Sequence, residues 1–354
     1  MAKRSPFIIL AFTLLCASGL SVQSAPKAKP AAASALAGYS ESDINAALQA
    51  AYAKYKDLKE GKNADYIPAL AKVDSNIYGI ALVTPDGKVY TVGDVTSEVS
   101  IQSISKVFTM AKVMEEGGAE AISGTIGVDA TGGRFNSIIA VEVAKKMYGG
   151  PELNPLVNPG AISATSMVKG TTRDDIWKSI VDYYSDFAGR PLVVNHEVYR
   201  SEAETNQRNQ AIAMLMYAYE YIKTDPRQAT DIYTEQCSVS VNAKDLATMA
   251  ACLANGGKNP VTGKQVLKME LVPKVLSVMA TAGLYDDTGK WLFATGLPGK
   301  SGVGGGLIAV SPDKFGIAVV SPPLDDAGNS VRGQKAIADI SNALGGNPLA
   351  SKPR

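Results

Sequence analysis

The spacing of apolar and polar residues along this chain changes from strand-like to helix-like and back to strand-like. Residues 77–83 and 89–92 have strand patterns, and Pro85-Asp86-Gly87-Lys88 between them predicts a hairpin turn. Apolar residues at helical spacing predict that helices form the middle of the chain. The predicted helices cover residues 41–58, 138–147, 172–188, 201–224, 242–255, 273–282 and 330–344, and the later strands cover residues 291–294, 306–310 and 315–320.

This order of elements predicts an α+β fold. Strands from both ends of the chain can join into one antiparallel sheet, flanked by the first and last helices. The helices between about residues 110 and 280 would then form a helical lobe beside the sheet. A site between the two lobes would place Ser103, at the start of one helix, opposite the strand that follows Lys300.

Ser103 and Lys106 are the first candidates for catalytic chemistry. Four S-x-x-K tetrapeptides occur, but only that of Ser103 stands where a strand-like stretch gives way to an apolar helix. A lysine three residues after a serine lies on the same helix face, and a buried lysine can act as a base. The alternative is a serine helix cap beside a solvated lysine. Because the chain has a single histidine, His196, a Ser-His-Asp triad would have to depend on that residue.

Residues 201–209 form a second polar segment, which leads into an apolar helix. It carries Glu202 and Asn209 seven positions apart, a spacing that puts both on one face of a helix. A carboxylate and an amide together can hold an ammonium and a neighbouring polar group. The alternative is a capping box with a solvated first turn.

Two glycine-containing segments and three tyrosines complete the polar candidates. Asn158-Pro159-Gly160 predicts a turn. The glycines after Lys300 either let a backbone N–H approach a ligand or form a tight turn before a strand. The tyrosines beside polar loops are Tyr66, Tyr233 and Tyr285, although most tyrosines simply pack with the hydroxyl outward.

The N-terminal residues predict export. A short basic region at Lys3 and Arg4 precedes a nine-residue apolar stretch, residues 7–15, which is too short to span a bilayer. Val22-Gln23-Ser24 then fits a cleavage site. We therefore expect a signal peptide over residues 1–24, with a membrane anchor as the alternative, and a periplasmic mature protein. Residues 25–38 predict a low-complexity linker, and residues 39–354 the folded domain.

Composition narrows the choice of partners and ligands. The chain of 354 residues is 46% hydrophobic with a net charge of +1 and no long basic run, which argues against nucleic acid. No cysteine–histidine cluster has metal-ligand spacing.

Once the signal is removed, Cys237 in a strand-like run and Cys252 in a helical run remain. They are expected to be two buried thiols, with a disulfide as the alternative.

Taken together, these segments resemble one family, the serine-dependent glutaminases of the β-lactamase-like fold. The resemblance runs from about residue 39 to residue 345, and its specificity comes from the order and spacing of many motifs. These are YIPALAKVD (66–74), IQSISKVF (101–108), VNPGAI (157–162), SEAETNQRN (201–209), CSVSV (237–241), LANGG (253–257), GLYDDTG (283–289), GLPGKSGVGGG (296–306) and SPPLDDAGNSVRG (321–333).

The resemblance implies hydrolysis of L-glutamine to L-glutamate and ammonia, with no metal or organic cofactor. Ser103 would be the nucleophile and Lys106 its base, and Tyr285 or Tyr233 would pass a proton to the leaving ammonia. The Ser103 and Val303 N–H groups would hold the oxyanion. It also implies a homodimer or homotetramer. The positions that would contact substrate are Ser103, Tyr66, Asn158, Glu202, Asn209, Tyr233, Tyr285 and Val303.

Two other classes compete with this interpretation. A β-lactamase or penicillin-interacting peptidase shares the S-x-x-K and K-S/T-G logic, but its S-D-N triplet is absent here. The looser Ser240-Val241-Asn242 comes late, at the start of a predicted helix. A periplasmic amino-acid-binding protein would have no need of a serine–lysine pair at a helix start.

Overall fold

Strands from both ends of the chain join into one antiparallel sheet, as the sequence pattern predicts. The strands are β1 Gly79–Val83, β2 Val89–Gly93, β3 Val99–Ser100, β4 Ser240–Val241, β5 Gly299–Ser301, β6 Gly306–Ser311 and β7 Phe315–Val320. The sheet has the order β2-β1-β7-β6-β5, and β3 pairs separately with β4. In the register of β1 with β7, Gly79 lies opposite Val320 and Val83 opposite Gly316, so the first hairpin depends on the last strand.

The computed structural model describes residue 36 and residues 38–150 and 152–350, which all belong to one compact unit. The predicted signal peptide and most of the predicted linker lie outside these residues. The helices are α1 Glu41–Tyr55, α2 Pro68–Ala71, α3 Ser105–Gly117, α4 Glu120–Ser123, α5 Ile138–Val143, α6 Asn158–Met167, α7 Arg173–Ala188, α8 His196–Thr205, α9 Gln207–Ala218, α10 Pro226–Cys237, α11 Ala243–Ala254, α12 Val272–Ala282, α13 Thr288–Thr295 and α14 Val331–Ala343.

The two faces of the sheet support two hydrophobic cores. Successive strand side chains point to opposite faces, so Ile80 and Leu82 pack with α1 and α14. Ala81 and Val83 pack instead with α11 and the other helices of the helical lobe. The second of these cores therefore contains residues of both the sheet and the helical lobe, and residues at their junction pack against both.

The structure corrects two predicted elements. Residues 291–294 belong to helix α13, not to a strand, because a short apolar run such as WLFA does not distinguish the two by its pattern. The helix predicted over residues 201–224 is two helices, α8 and α9, which meet at Asn206. Helix α8 begins earlier than predicted, at His196, where the Asn195 side chain caps it.

Two further local predictions are also wrong. Asn158-Pro159-Gly160 is the first turn of α6 and not a free turn, which suits a proline in the first turn of a helix. Cys237 ends helix α10 and does not lie in a strand. Cys237 and Cys252 are nevertheless both free and buried, as expected, and form no disulfide. Within the described ranges, no helix is long and apolar enough to cross a bilayer.

Candidate active site

Ser103 lies in the 3₁₀ turn Gln102–Ile104, between strand β3 and helix α3. Every α3 residue from Ser105 to Met114 is buried, as expected for a helix surrounded by protein. The Lys106 amine lies 2.5 Å from Ser103 Oγ and donates to it. Lys106 is 1% exposed, so the alternative of a solvated lysine beside a helix cap is wrong.

The surroundings of Lys106 make its neutral form easier to reach than in solvent. Burial lowers its pKa to about 8, and the more distant Cys237 and Glu202 offset only part of this effect. The amine also lies 5.2 Å from the centre of the Tyr233 ring. A lysine with such a pKa can accept a proton near neutral pH, which is what activation of a serine hydroxyl requires.

The glycine-rich segment after β5 brings the Val303 backbone against the Ser103 turn. A Cβ on Gly302 would lie 2.7 Å from the carbonyl oxygen of Ile101, and one on Gly304 would lie 2.2 Å from that of Ser100. Only glycine permits this approach on either side of Val303. Neither the Ser103 nor the Val303 N–H donates to a backbone carbonyl of the described residues, so both can face an oxyanion.

Gln102 links the Ser103 turn to the carboxylate of Glu202. Its φ of 48° is in the left-handed region, which costs free energy for a residue with a side chain. Its side-chain amide donates to Glu202 Oε2 at 3.1 Å and to Ser100 Oγ at 3.3 Å. Gln102 was not predicted as a site residue, although its position directly before Ser103 could have suggested it.

Glu202 and Asn209 both line the cavity in front of Ser103, but they do not share one helix face as predicted. Glu202 lies in the last turn of α8 and Asn209 in the first turn of α9, with the break at Asn206 between them. The alternative of a solvated first turn is wrong, because Glu202 is 7% exposed. Burial raises the pKa of Glu202 to about 7, against the opposing effects of the Gln102 amide and Lys106.

A chain of hydrogen bonds connects the polar groups on the other wall. The Tyr233 hydroxyl donates to Asn158 Oδ1 at 3.1 Å, and Asn158 Nδ2 donates to Asn209 Oδ1 at 2.9 Å. Tyr233 is on α10 and Asn158 on α6. Since each amide is fixed by a neighbour, the wall presents a defined set of donors and acceptors to a ligand.

Tyr285 begins the 3₁₀ turn Tyr285–Asp287 with a φ of 54°, also in the left-handed region. Its hydroxyl donates to the carbonyl oxygen of Ser301 at 3.2 Å. Burial raises the pKa of Tyr285 above its ordinary value, with the Ser103 hydroxyl opposing this effect. The phenol therefore keeps its proton near neutral pH and can act as a proton donor beside Ser103.

These residues surround a cavity of about 250 Å³. Its size is below the roughly 300–1,000 Å³ common for drug-sized ligands and suits a small molecule. Seven of the nine predicted site residues line it, while Lys106 lies behind Ser103 and Tyr285 beside it. Tyr66, 54% exposed, lies at the edge. Lining residues that the sequence did not indicate are Ile67, Gln102, Phe135, Asn136, Thr205, Asn206 and Arg208.

Comparison with known proteins identifies the family. The family model for glutaminases matches residues 61–347. The chain belongs to the glutaminase family. It is 51% identical over 304 residues to a glutaminase of Colwellia psychrerythraea, covering 86% of this chain and 96% of that relative. No group of three or more potential metal-ligating acidic, histidine or cysteine side chains occurs among the residues that the structure describes.

Solved glutaminase structures have the same β-lactamase-like fold as this glutaminase. A probable glutaminase, ybaS, superposes with a TM-score of 0.86 at 44% identity, covering 88% of this chain and all of that one. Mglu in its glutamate form superposes with a TM-score of 0.80 at 33% identity, covering 86% of this chain and 69% of that one. The predicted fold class, an antiparallel sheet flanked by helices with a helical lobe, is confirmed.

Proposed function

We propose that this glutaminase hydrolyses the side-chain amide of L-glutamine through an acyl-enzyme on Ser103. The observation that carries the proposal is the buried Lys106 amine 2.5 Å from Ser103 Oγ, at the wall of a small cavity with a carboxylate on another side. The products would be L-glutamate and ammonia.

The proposed acylation uses three proton transfers. Ser103 Oγ attacks the amide carbon and gives its proton to Lys106, while the Ser103 and Val303 N–H groups stabilise the oxyanion. The C–N bond then breaks, its electron pair goes to nitrogen, and nitrogen takes the proton of the Tyr285 phenol, or of Tyr233, to leave as ammonia. The proton on Lys106 restores the phenol.

In deacylation, water replaces the Ser103 hydroxyl as the group that attacks the carbonyl carbon and gives a proton to Lys106. Water attacks the glutamyl ester, its proton passes to Lys106, and the Ser103–acyl bond breaks with return of that proton to Ser103 Oγ. No step needs a group that the chain does not supply, apart from water and the substrate.

Substrate recognition follows from the charges on the cavity wall. The ionised carboxylate of Glu202 suits the α-ammonium, and the amides of Asn158 and Asn209 suit the α-carboxylate or the ammonium. Tyr66 closes the outer edge. The related Mglu has been seen in a glutamate form, which supports glutamate as the product that fits such a cavity.

The β-lactamase alternative is not favoured by the geometry. Asn242, the last residue of the S-x-N triplet, caps helix α11, and its side-chain oxygen accepts the N–H groups of Lys244 and Asp245. Its side chain is therefore committed to the helix start. A pure binding protein would leave the short Ser103–Lys106 contact without a role.

The test is release of ammonia and glutamate from L-glutamine by the purified protein, with nitrocefin and L-asparagine as parallel substrates. We expect glutamine turnover that Ser103→Ala abolishes. Hydrolysis of nitrocefin alone would place the protein with the penicillin-recognising enzymes. Binding of glutamine without turnover of any of the three would support a capture protein.

Export and self-association are further parts of the proposal. The support for export is the sequence of residues 1–24, and the support for a homodimer or homotetramer is the family resemblance. Full-length protein expressed in a Gram-negative bacterium should be recovered from the periplasm without residues 1–24. Recovery only from the cytoplasm with those residues retained would contradict export, and a monomer by light scattering would contradict self-association.

A further inference from the structure

Asn206, at the break between helices α8 and α9, has a side chain that does not cap the helix it precedes. An asparagine at a helix start commonly accepts hydrogen bonds from the first N–H groups of that helix. Asn195 does so at the start of α8 and Asn242 at the start of α11. Asn206 makes no such bond to the described start of α9. Its side chain is therefore engaged elsewhere.

The side chain of Asn206 joins α9 to α10. It is 8% exposed and lies on the cavity wall. Its Nδ2 donates to Thr234 Oγ1 on α10 at 3.0 Å, and its Oδ1 accepts from Gln210 Nε2 on α9 at 2.6 Å. The fully buried Thr234 hydroxyl donates its own proton to the carbonyl oxygen of Thr230 at 2.8 Å. Because that hydroxyl can then only accept from Asn206, the orientation of the Asn206 amide is fixed.

Two successive residues of α10 thus hold the beginning of α9. The first connection is the chain of hydrogen bonds from Tyr233 through Asn158 to Asn209. The second is the bond between Thr234 and Asn206 at the helix break. The first turn of α9 can move relative to α10 only if one of these connections is lost. Asn206 is therefore placed to control the position of Asn209 in the cavity.

The break at Asn206 also separates the two groups that are expected to recognise the substrate. Glu202 lies four residues before Asn206, in the last turn of α8, and Asn209 lies three residues after it, in the first turn of α9. Because the two side chains stand on different helices, their separation depends on the geometry of the break. A fixed separation is what recognition of an α-ammonium beside an α-carboxylate requires.

We propose that Asn206 is a positioning residue for substrate binding: by bonding the helix break to Thr234, it sets the separation between the Glu202 carboxylate and the amides of Asn158 and Asn209. The inference rests on the proposed function, in which these groups bind the two charged α-substituents of glutamine. Asn206 is given no part in the chemistry at Ser103. Loss of its bond to Thr234 therefore weakens substrate binding and leaves the chemical steps intact.

The experiment measures kcat and KM for L-glutamine and the competitive inhibition constant of L-glutamate, which reports binding alone. Asn206→Ser removes the bond but leaves a residue that can cap a helix. Thr234→Val removes the same bond from the other side with a side chain of similar shape, and the double variant completes the cycle. Asn195→Ala is the matched control, because it removes an asparagine from the opposite end of α8, away from the cavity.

We expect each single variant to raise KM and the inhibition constant of glutamate roughly fivefold to tenfold, as loss of one buried hydrogen bond does, and to leave kcat within about twofold. The double variant should be no worse than the more affected single variant. Asn195→Ala should lower the midpoint of thermal denaturation without changing KM.

Three results would overturn the role of Asn206: an unchanged KM, a fall in kcat at constant KM, or effects of the two single variants that add in the double variant. If Asn206→Ser does not fold, Thr234→Val alone decides, since it removes the same bond. Each of these results leaves glutamine turnover by the unmodified enzyme in place. Absence of that turnover would instead show that the proposed function is wrong.

Discussion

The two buried ionisable groups of the cavity predict a steep dependence of activity on pH. Burial lowers the pKa of Lys106 to about 8 and raises that of Glu202 to about 7. The proposed mechanism needs the unprotonated amine of Lys106 and the ionised carboxylate of Glu202. Both forms increase as pH rises, so kcat/KM should rise from the acid side through pH 7 and pH 8. The substrate's own ammonium loses its proton at higher pH and ends the rise.

The magnitude follows from the two pKa values. At pH 6 about 1% of Lys106 would be neutral, and at pH 8 about half of it would be. The ionised fraction of Glu202 would be about a tenth at pH 6 and about nine-tenths at pH 8. The product of the fractions falls roughly 500-fold between pH 8 and pH 6. Below pH 7 the slope of log kcat/KM against pH should approach about 2, because two protons must leave.

The assay should measure initial rates of glutamate formation by chromatography after an acid quench, so that no coupling enzyme adds its own pH dependence. Glu202→Gln should reduce the slope to about 1 while raising KM, because one ionisation is removed. Circular dichroism at each pH confirms that the fold persists. A profile that is flat between pH 6 and pH 8, or a slope that Glu202→Gln leaves unchanged, would refute the assignment of these two groups.

Three substitutions test other parts of the site. Ser103→Ala should abolish turnover but retain glutamine binding by calorimetry; ammonia release near the parent rate would exclude Ser103 as nucleophile. Gln102→Ala should raise KM more than it lowers kcat, because it releases the carboxylate expected to bind the substrate ammonium; an unchanged KM would count against that coupling. Gly304→Ala would place a Cβ 2.2 Å from the Ser100 carbonyl oxygen and displace the Val303 N–H. It should lower kcat roughly 100-fold, as loss of one oxyanion donor does, and an unaffected kcat would exclude that N–H from catalysis.

The features that the sequence predicts well are those set by local pattern and by motif order. The hairpin between β1 and β2 and the joining of early and late strands both follow from period and turn signals. The contact of Lys106 with Ser103 follows from helical spacing. Seven predicted site residues that are far apart in sequence line one cavity. The family resemblance, and no local pattern, predicted that they belong to one site.

The missed features depend on tertiary contacts. Nothing local in WLFA distinguishes helix from strand, since both periods accommodate a short apolar run. Phe135 and Asn136 line the cavity from a stretch with no regular pattern, and their place is set by packing. The left-handed conformation of Gln102 is unfavourable by itself and exists because the surrounding structure imposes it.

The pairing of β1 with β7 also has a consequence for biosynthesis. The ribosome makes residue 79 more than two hundred residues before residue 320, its partner in the register. Until the last strand emerges, the early hairpin has an unpaired edge, and the glycine-rich segment around Val303 has only just been made. Nascent chains should therefore be inactive and prone to association through that edge, and folding should be slowed by the long loop that must close.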